Sequence, residues 1–475
     1  MIESRCSPSP DRPLSVAVVG TGPAGFHAAM ALLGQEQFAV QVDLFDRLPT
    51  PYGLVRGGVA PDHPKIKTVV KVYERAASDP RFRFFGNVEL GRDISVGDLV
   101  ELYDQIVYAI GNENDRRMGI PGEHLVGCTP ATVLVGWYNG HPDYAQACFD
   151  LSCRKVAVVG NGNVAADVAR ILARTPEQLR TTDIADHALS ALEHSRVEEI
   201  VLLGRRGPLQ AAFAPAELRE LLELPGVRTS ITEEDLALDE ADQAELAKMR
   251  PKDPRRRVYE ILKEAVARPD PGGNKTLKLR FRVSPVQILG GPRGRMQALV
   301  LEKNRLVRDS EGACRAVGTG ETEEFDVGWV FVSIGYEGRP VPGVPYDADR
   351  GVIANVDGRL IDPSTGVPLP GQYCVGWARS GAKGLIAMHR GASAEVVARM
   401  LEDVATHGVD QAPRGSGMEM AQRLEARGVQ YVTFGEWEAI DQAEIERGRA
   451  RGAPRSKFVE IPQMLDIAEM KRRGW

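Results

Sequence analysis

Length, composition and charge exclude several classes of protein. The chain has 475 residues, which is too long for one compact core and predicts two or three domains. Hydrophobic residues make up 43% and charged residues 26%, as in ordinary globular proteins. The formal net charge of -6 gives no reason to expect nucleic-acid or membrane binding.

The hydropathy pattern, the N-terminal residues and the cysteines exclude further kinds of protein and site. No apolar run approaches the ~18 to 20 residues that span a bilayer. Residues 1–13 lack a targeting pattern, so we expect a disordered leader. No C-x-x-C pair is present, which argues against an iron–sulfur cluster, a zinc ribbon or a redox pair, and no metal site is predicted. We expect mostly buried, reduced cysteines of a cytoplasmic protein: Cys6, Cys128, Cys148, Cys153, Cys314 and Cys374.

Predicted strands and helices alternate from residue 14 onward, and the opening pattern occurs twice. The first occurrence has predicted strands at 14–20, 40–46, 81–90 and 104–111, with helices at 24–33 and 65–78. The second begins with a strand at 154–160, a helix at 163–173 and a strand at 197–204. Because the second start lies inside the span of the first, we expect one domain to be inserted into another.

The rest of the chain completes the two predicted domains. Residues 232–273 are highly charged and predict an exposed helical or loop excursion. Further strands are predicted at 277–289, 297–303, 325–335 and 372–376, followed by a helix from about 384 and a polar tail with two helical segments. The fold class predicted is α/β, with two Rossmann-like dinucleotide-binding domains. The first domain comprises 14–111 and 336–475, and the inserted domain comprises 112–335.

The first strand ends in a dinucleotide fingerprint. Glycines at three fixed positions permit the tight turn, the approach of backbone to a pyrophosphate and close helix–strand packing. The helix N-terminus then offers free N–H groups to the phosphates. The motif is Gly20, Thr21, Gly22, Pro23, Ala24 and Gly25. Asp46 ends the second strand, where a carboxylate can accept ribose hydroxyl hydrogen bonds.

A second fingerprint follows strand 154–160. It consists of Gly160, Asn161, Gly162, Asn163, Val164 and Ala165, with alanine in the third slot. The next strand ends in Arg205 and Arg206 and carries no acid there. Paired guanidiniums bind a 2′-phosphate that a carboxylate would repel, so this site is predicted to prefer NADPH. The alternative is two solvated surface arginines.

Two dinucleotide sites in one chain suggest that each binds a different cofactor with a different role. FAD stays bound to the first, NADPH comes and goes at the second, and a hydride passes between them.

Several longer runs are more specific than either fingerprint. PTPYGLVRGGVAPDHPKIK (49–67), GWYNGHP (136–142), GNGNVAADVARIL (160–172) and GRRGPLQAAF (204–213) resemble adrenodoxin reductases and bacterial ferredoxin–NADP reductases of the same type. The resemblance extends from about residue 14 to residue 400. It implies an FAD-dependent, NADPH-oxidising enzyme that passes single electrons to a ferredoxin.

The resemblance also implies roles for individual residues. Positions that match FAD contacts are Ala24, Asp46, Leu54, Val88, Trp377, Gly384, Leu385 and Ile386. Positions that match NADPH contacts are Arg116, Asn161, Gly162, Asn163, Val164, Arg205, Arg206 and Glu217. Asp46 is a departure, since glutamate is common there and reaches one methylene further.

His63 and Glu220 match polar residues near the active site of this family. Hydride transfer needs little acid–base help, so these two candidate catalytic residues are expected to position or tune the site. The alternative for His63 is a hydrogen-bonded structural histidine in a proline-rich loop.

The carrier needs a docking surface, because the chain has no cysteine pair to take electrons onward. The densest basic run is Arg250–Arg257, and its Arg255, Arg256 and Arg257 are candidates for binding an acidic ferredoxin. A solvated charge run is the equal alternative. We expect a monomer or weak oligomer.

Other functions stay open on these motifs. A flavin monooxygenase would share the fold, and a non-catalytic redox sensor could bind both cofactors without turnover. A disulfide reductase is disfavoured by the missing C-x-x-C, and the electron-feeding subunit of glutamate synthase by the missing cluster cysteines.

Overall fold

The computed structural model describes residues 5–9, 12–112, 114–382, 384, 388–410 and 417–474. Its first section contains these elements: β1 (Arg5–Cys6), β2 (Leu14–Val19), α1 (Pro23–Gly34), β3 (Val40–Phe45), α2 (Leu54–Gly57), α3 (Pro64–Lys67), α4 (Val70–Ala77), β4 (Phe82–Phe85), α5 (Val96–Leu102) and β5 (Gln105–Tyr108).

The middle section contains these elements: β6 (Asn114–Asp115), β7 (Cys128–Pro130), α6 (Ala131–Asn139), β8 (Lys155–Val159), α7 (Asn163–Ala173), α8 (Pro176–Arg180), α9 (Asp186–Glu193), β9 (Glu199–Gly204), α10 (Pro215–Leu222), β10 (Val227–Ser230), α11 (Glu233–Leu236), α12 (Glu240–Lys248), α13 (Pro254–Val266), β11 (Lys275–Phe281), β12 (Val283–Gly290), β13 (Met296–Arg308), β14 (Cys314–Asp326) and β15 (Trp329–Val332).

The last section contains these elements: β16 (Tyr336–Glu337), β17 (Tyr346–Asp347), β18 (Val352–Ile353), β19 (Asn355–Val356), β20 (Arg359–Ile361), β21 (Pro368–Cys374), α14 (Trp377–Ser380), α15 (Met388–His407), β22 (Val409–Asp410), α16 (Gly417–Ala426), α17 (Phe434–Arg449) and α18 (Ile461–Arg472).

The first large sheet joins the two ends of the chain. Its seven strands have the order β19-β20-β21-β5-β2-β3-β4, and the five from β21 to β4 are parallel. Strands β2 and β3 pair from Leu14 with Val40 to Val19 with Phe45. Side chains alternate between two cores. Val16 and Val18 face a core with α1, α15 and α17, while Ala17 and Val19 face a core with α5 and α16.

The second large sheet is built from the middle of the chain. Its six parallel strands have the order β10-β11-β9-β8-β15-β7. Val156 and Val158 face α6, α7, α10 and α13, whereas Ala157 and Val159 pack against the antiparallel sheet β12-β13-β14. The predicted fold class is therefore confirmed: two Rossmann-like units, the second nested within the first.

The predicted leader is partly ordered. Arg5–Cys6 pairs antiparallel with Val409–Asp410, and the Arg12 guanidinium donates to the carboxylate of Asp104 at 2.8 and 3.2 Å. The leader is thus not disordered at these positions, because a strand far along the chain supplies partners for its backbone groups.

In the described part of the C-terminal tail, 417–474, the chain forms three helices, whereas two were predicted. Met420 of α16 is buried beneath the first sheet on one side, and Trp437 of α17 and Met464 of α18 are buried on the other. In the part of the chain that the structure describes, no helix is both long enough and apolar enough to cross a membrane.

Candidate active site

Both glycine turns have the same backbone geometry. Gly20 and Gly160 follow their strands with φ of +104° and +136°, which disfavours any side chain. A Cβ at Gly20 would collide with the carbonyl oxygen of Ala109, and one at Gly160 with that of Ser333. These close approaches bring each turn against the neighbouring strand end, so that the following helix starts at the carboxyl edge of its sheet.

The space above each turn fits a phosphate. Gly22 and Gly162 are the N-caps of α1 and α7, and neither helix start has a side-chain cap. A Cβ at either glycine would meet nothing within 4 Å. The free N–H groups of both helices therefore face open space, which is the arrangement a dinucleotide pyrophosphate requires.

One large cavity connects the two turns. Its volume is about 1080 Å³, and its lining includes Gly20 through Ala24 from the first turn and Asn163 and Val164 from the second. Predicted site residues that also line it are Asp46, Leu54, His63, Val88, Glu217, Trp377 and Gly384. Ligands bound at the two turns would therefore meet in this cavity.

Asp46 is tied to the first turn. Its Oδ2 accepts hydrogen bonds from the Thr21 N–H and hydroxyl, and its Oδ1 accepts one from the Leu48 N–H at 3.0 Å. Burial raises the pKa of Asp46. Since a carboxylate oxygen has two lone pairs, one acceptor direction on Oδ1 is left for a ribose hydroxyl.

Trp377 and Tyr336 form an aromatic wall of the cavity. Their rings stack with centroids 5.6 Å apart and an interplanar angle of 23°. Trp377 Nε1 is buried and has no hydrogen-bond partner among the described residues. Gly384 has a φ of +88°. Leu385 and Ile386 lie outside the described residues.

Three arginines that were predicted to contact NADPH lie outside the cavity lining. Arg205 directly follows β9 and is exposed, Arg206 is half-buried, and Arg116 is exposed beside β6. Among the described residues, none of these guanidiniums makes a hydrogen bond or ion pair. Asn161 and Gly162 also lie just outside the lining. Asn163 Oδ1 accepts from the Ala214 N–H at 2.7 Å, which ties the turn to the start of α10.

The structure brings His63 and Glu220 together. His63 Nε2 lies 3.1 Å from Glu220 Oε2 and 3.5 Å from Glu217 Oε2, and 9% of the His63 side chain is exposed. The imidazole thus links a loop of the first sheet's domain to α10 of the second. Both acids come from one face of α10.

The buried arginine at the centre of this cluster, Arg170, was not predicted from the sequence. Arg170 on α7 is completely buried and donates to Asp62 at 2.6 and 3.1 Å and to Asp167 at 2.7 Å. Arg174 also donates to Asp62, at 2.7 Å. Burial raises the pKa of Asp167, a cavity residue, to about 6. The sequence does carry a pattern that could have predicted this cluster, because positions 167, 170 and 174 are charged and lie on one face of an otherwise apolar helix.

Two arginines of the basic run pair with acids outside it. Arg255 forms an ion pair with Glu245 at 2.6 Å, and Arg256 with Glu260 at 2.9 Å. Arg257 is exposed. None of the three lines the cavity.

Comparisons with known proteins agree with this geometry. A family model described as pyridine nucleotide-disulphide oxidoreductase matches residues 14–203. The chain is 41% identical over 465 residues to the NADPH-ferredoxin reductase FprA of Mycobacterium tuberculosis, covering 96% of this chain and 99% of that protein. It is 42% identical over 461 residues to the mitochondrial NADPH:adrenodoxin oxidoreductase of Homo sapiens, covering 95% and 91%.

A solved structure extends the likeness to three dimensions. The structure of Mycobacterium tuberculosis FprA in complex with NADPH superposes with a TM-score of 0.90 at 41% identity, covering 96% of this chain and 100% of that one. Identity at this level over nearly the whole of both chains confirms the resemblance inferred from the motifs. The chain belongs to the family of adrenodoxin reductase-like ferredoxin–NADP reductases, which are FAD- and NADPH-dependent oxidoreductases.

Proposed function

We propose that this chain transfers a hydride from NADPH to FAD and passes single electrons to a ferredoxin. The observation that carries the proposal is the single cavity lined by residues of both glycine turns. Two separate pockets would keep a nicotinamide and a flavin apart, whereas a shared one allows them to stack. When bound, FAD supplies the step from two-electron to one-electron chemistry, which no side chain can perform.

The chain's own residues hold the two cofactors. We assign Gly22, Pro23, Ala24 and Asp46 to the pyrophosphate and ribose of FAD, and Leu54, Val88, Trp377 and Gly384 to the rest of it. For NADPH, the N-terminus of α7 receives the pyrophosphate, and Glu217 lines the shared cavity. Arg205, Arg206 and Arg116 bind the phosphates from outside that cavity, where no hydrogen bond or ion pair to another described residue competes for their guanidiniums.

His63 and Glu220 act as positioning residues. Their 3.1 Å contact joins the two halves of the cavity wall, next to the buried Arg170–Asp62 pair. Fixing this wall sets the approach of the nicotinamide, and small displacements of reacting groups cost large factors in rate.

We place the domain boundaries at the two connecting segments. The FAD-binding domain comprises 14–111 and 336–475, and the NADP-binding domain comprises 112–335. Antiparallel pairing of β6 with β16 supports this division, because the outgoing and returning connections lie side by side there.

We also propose the charge of the electron carrier, the oligomeric state of the protein and its location. The carrier is an acidic ferredoxin, Arg255, Arg256 and Arg257 contribute to attracting it, and the protein is a monomer or weak oligomer. The cysteines Cys128, Cys148, Cys153, Cys314 and Cys374 are free, which supports a cytoplasmic location.

Anaerobic titration of the purified protein tests the function directly. NADPH should bleach a bound flavin stoichiometrically, and an oxidised ferredoxin added afterwards should restore the flavin absorbance. A colourless protein, or a flavin that NADPH fails to bleach, would contradict the proposal and favour a non-catalytic binding protein. NADPH oxidation that requires an organic substrate instead of ferredoxin or a dye would favour a monooxygenase.

A further inference from the structure

We propose that Asn304 is a positioning residue for NADPH recognition, because its side-chain amide holds the backbone of Arg205 and Arg206 where their guanidiniums bind the 2′-phosphate. This inference rests on the proposed function, which assigns the two guanidiniums to that phosphate, and it adds the residue that fixes their starting point. Asn304 lies on β13 of the antiparallel sheet β12-β13-β14, 99 positions after Arg205 in the chain.

The arginine pair begins directly beside the second glycine turn. Gly204 ends β9, and a Cβ at this position would collide with the side-chain amide of Asn161. The strand end and the turn are therefore in contact at the place where the ribose of a dinucleotide lies. Strand pairing of β9 ends at Gly204, so the carbonyls of Arg205 and Arg206 need hydrogen-bond donors from outside their own sheet.

Two linked donors supply these hydrogen bonds. Asn304 Nδ2 donates to the Arg205 carbonyl at 2.9 Å, and the Arg282 N–H donates to the Arg206 carbonyl at 3.0 Å. The Asn304 N–H donates in turn to the Arg282 carbonyl at 2.7 Å. Arg282 lies between β11 and β12 with a φ of +54°, which residues other than glycine rarely adopt. Both carbonyls of the arginine pair are thus fixed by the neighbouring sheet.

The asparagine is itself held in place. Its side chain is buried, and Nδ2 also contacts Ser284 Oγ at 2.7 Å. Leu306 lies two residues further along β13 and therefore on the same face of the strand. A Cβ at Gly207 would lie 3.2 Å from Leu306 Cδ1, so the chain after the arginine pair packs closely against this face. One face of β13 supports the arginine loop through a polar and an apolar contact.

Fixing this backbone favours binding of the 2′-phosphate. Among the described residues, the guanidiniums of Arg205 and Arg206 make no hydrogen bond or ion pair, so the backbone sets where each side chain starts. A loop that had to be ordered on binding would lose conformational entropy at that moment and weaken the affinity. Because Asn304 acts on the arginine pair, its loss should weaken nucleotides that carry a 2′-phosphate and spare those that lack one.

The test measures nucleotide binding to the flavin-loaded enzyme by calorimetry. The probes are adenosine 2′,5′-bisphosphate and 5′-AMP, which differ only in the 2′-phosphate. Asn304→Ala should raise the Kd of the bisphosphate about 3- to 10-fold, as expected for one lost hydrogen bond, and leave the Kd of 5′-AMP unchanged. The matched control is Gln243→Ala, an exposed residue of α12 whose amide donates to the Leu238 carbonyl at 3.0 Å, and it should change neither Kd.

A double-mutant cycle separates positioning from damage to the fold. In an enzyme that carries Arg205→Ala and Arg206→Ala, adding Asn304→Ala should not weaken the bisphosphate further, because the asparagine acts through the missing guanidiniums. Equal weakening of both nucleotides, or an undiminished loss in that enzyme, would overturn the proposal. Full bisphosphate affinity without the two guanidiniums would instead overturn their assignment in the proposed function. If Asn304→Ala does not fold, Asn304→Ser, whose hydroxyl is one bond shorter than the amide, carries the same expectation.

Discussion

Arg205 and Arg206 follow the last residue of β9, where the ribose of a dinucleotide lies in this fold. Changing both to Ala removes the guanidiniums that we propose donate charge-assisted hydrogen bonds to the 2′-phosphate, each bond worth about 1.5 to 3 kcal/mol. We expect the KM for NADPH to rise at least about 100-fold, and the KM for NADH to change little. Steady-state kinetics with both cofactors measures the difference.

The matched control for this pair is Arg228→Ala, an exposed arginine on edge strand β10 that pairs with Asp270. It should leave both KM values unchanged. Equal losses with NADPH and NADH in the double variant would show that the two arginines do not read the 2′-phosphate.

His63 joins two domains through one imidazole. We expect His63→Ala to slow flavin reduction by NADPH about 10- to 100-fold, because Glu220 and Glu217 lose the group that holds α10 against the cavity. Stopped-flow absorbance follows this step. His194→Ala, an exposed histidine at the end of α9, is the control. If His63→Ala reduces its flavin at the normal rate, the residue is structural.

The sequence predicted local features of single residues better than contacts between distant ones. The glycine turns were recognisable because the turn, the strand end and the helix start are adjacent in the chain. Arg170 could not be paired with Asp62, because 108 positions separate them. The contact between His63 and Glu220 could not be predicted from local sequence either, because 157 positions separate them. Only family resemblance pointed to both residues.

At the level of elements, arginines at the end of helix α16 pair with two carboxylates of α5, Asp98 and Glu101. Asp98, in the first turn of α5, accepts hydrogen bonds from Arg427 at 2.7 and 2.9 Å and from Arg423 at 2.8 Å. It also accepts from the Ser95 N–H and hydroxyl in a capping box. The hydrogen bonds from Arg427 and Ser95 hold the pKa of Asp98 well below its usual range.

We expect Asp98→Asn to destabilise the protein by about 1 to 3 kcal/mol at pH 7. A carboxyl whose folded pKa is depressed stabilises the protein above its unfolded pKa, and that contribution disappears as pH falls through the folded value. The difference from the unmodified protein should therefore be constant from pH 7 to 5 and decline only below about pH 4. Urea unfolding at several pH values measures it, and a difference that already fades between pH 7 and 5 would contradict the assignment.

Element boundaries differ from the prediction where side chains or distant strands intervene. The helix predicted at 65–78 is two helices, since α3 ends at Lys67 and α4 begins at Val70. Thr68 Oγ1 donates to the Lys65 carbonyl at 2.7 Å, and such local bonds compete with regular helix. The β1–β22 pair was not predictable, because two-residue strands about 400 positions apart carry no periodicity.

On the scale of the whole molecule, the C-terminal segment links the first domain to the domain inserted into it. Lys457 is 4% exposed and lies between them. Its ammonium donates to the carbonyls of Arg56 at 3.2 Å and Asn139 at 3.1 Å, and it pairs with Asp183 at 3.1 Å. Burial lowers the pKa of Lys457 to about 7. The nested topology could be predicted from the repeated fingerprint, but this link could not, because nothing near Lys457 in sequence marks it.

Removing this ammonium tests whether the tail fixes the relation of the domains. Lys457→Met leaves two buried carbonyls unpaired and Asp183 with Lys67 alone, and breaking a buried pair costs about 3 to 5 kcal/mol. We expect lower stability in urea and slower flavin reduction by NADPH, because the two halves of the shared cavity lose their common support. Lys471→Met, an exposed lysine in the last turn of α18, is the matched control and should change neither. If Lys457→Met unfolds at the same urea concentration and reduces its flavin at the same rate, the domains are held by other contacts, such as Arg451 with Asp186.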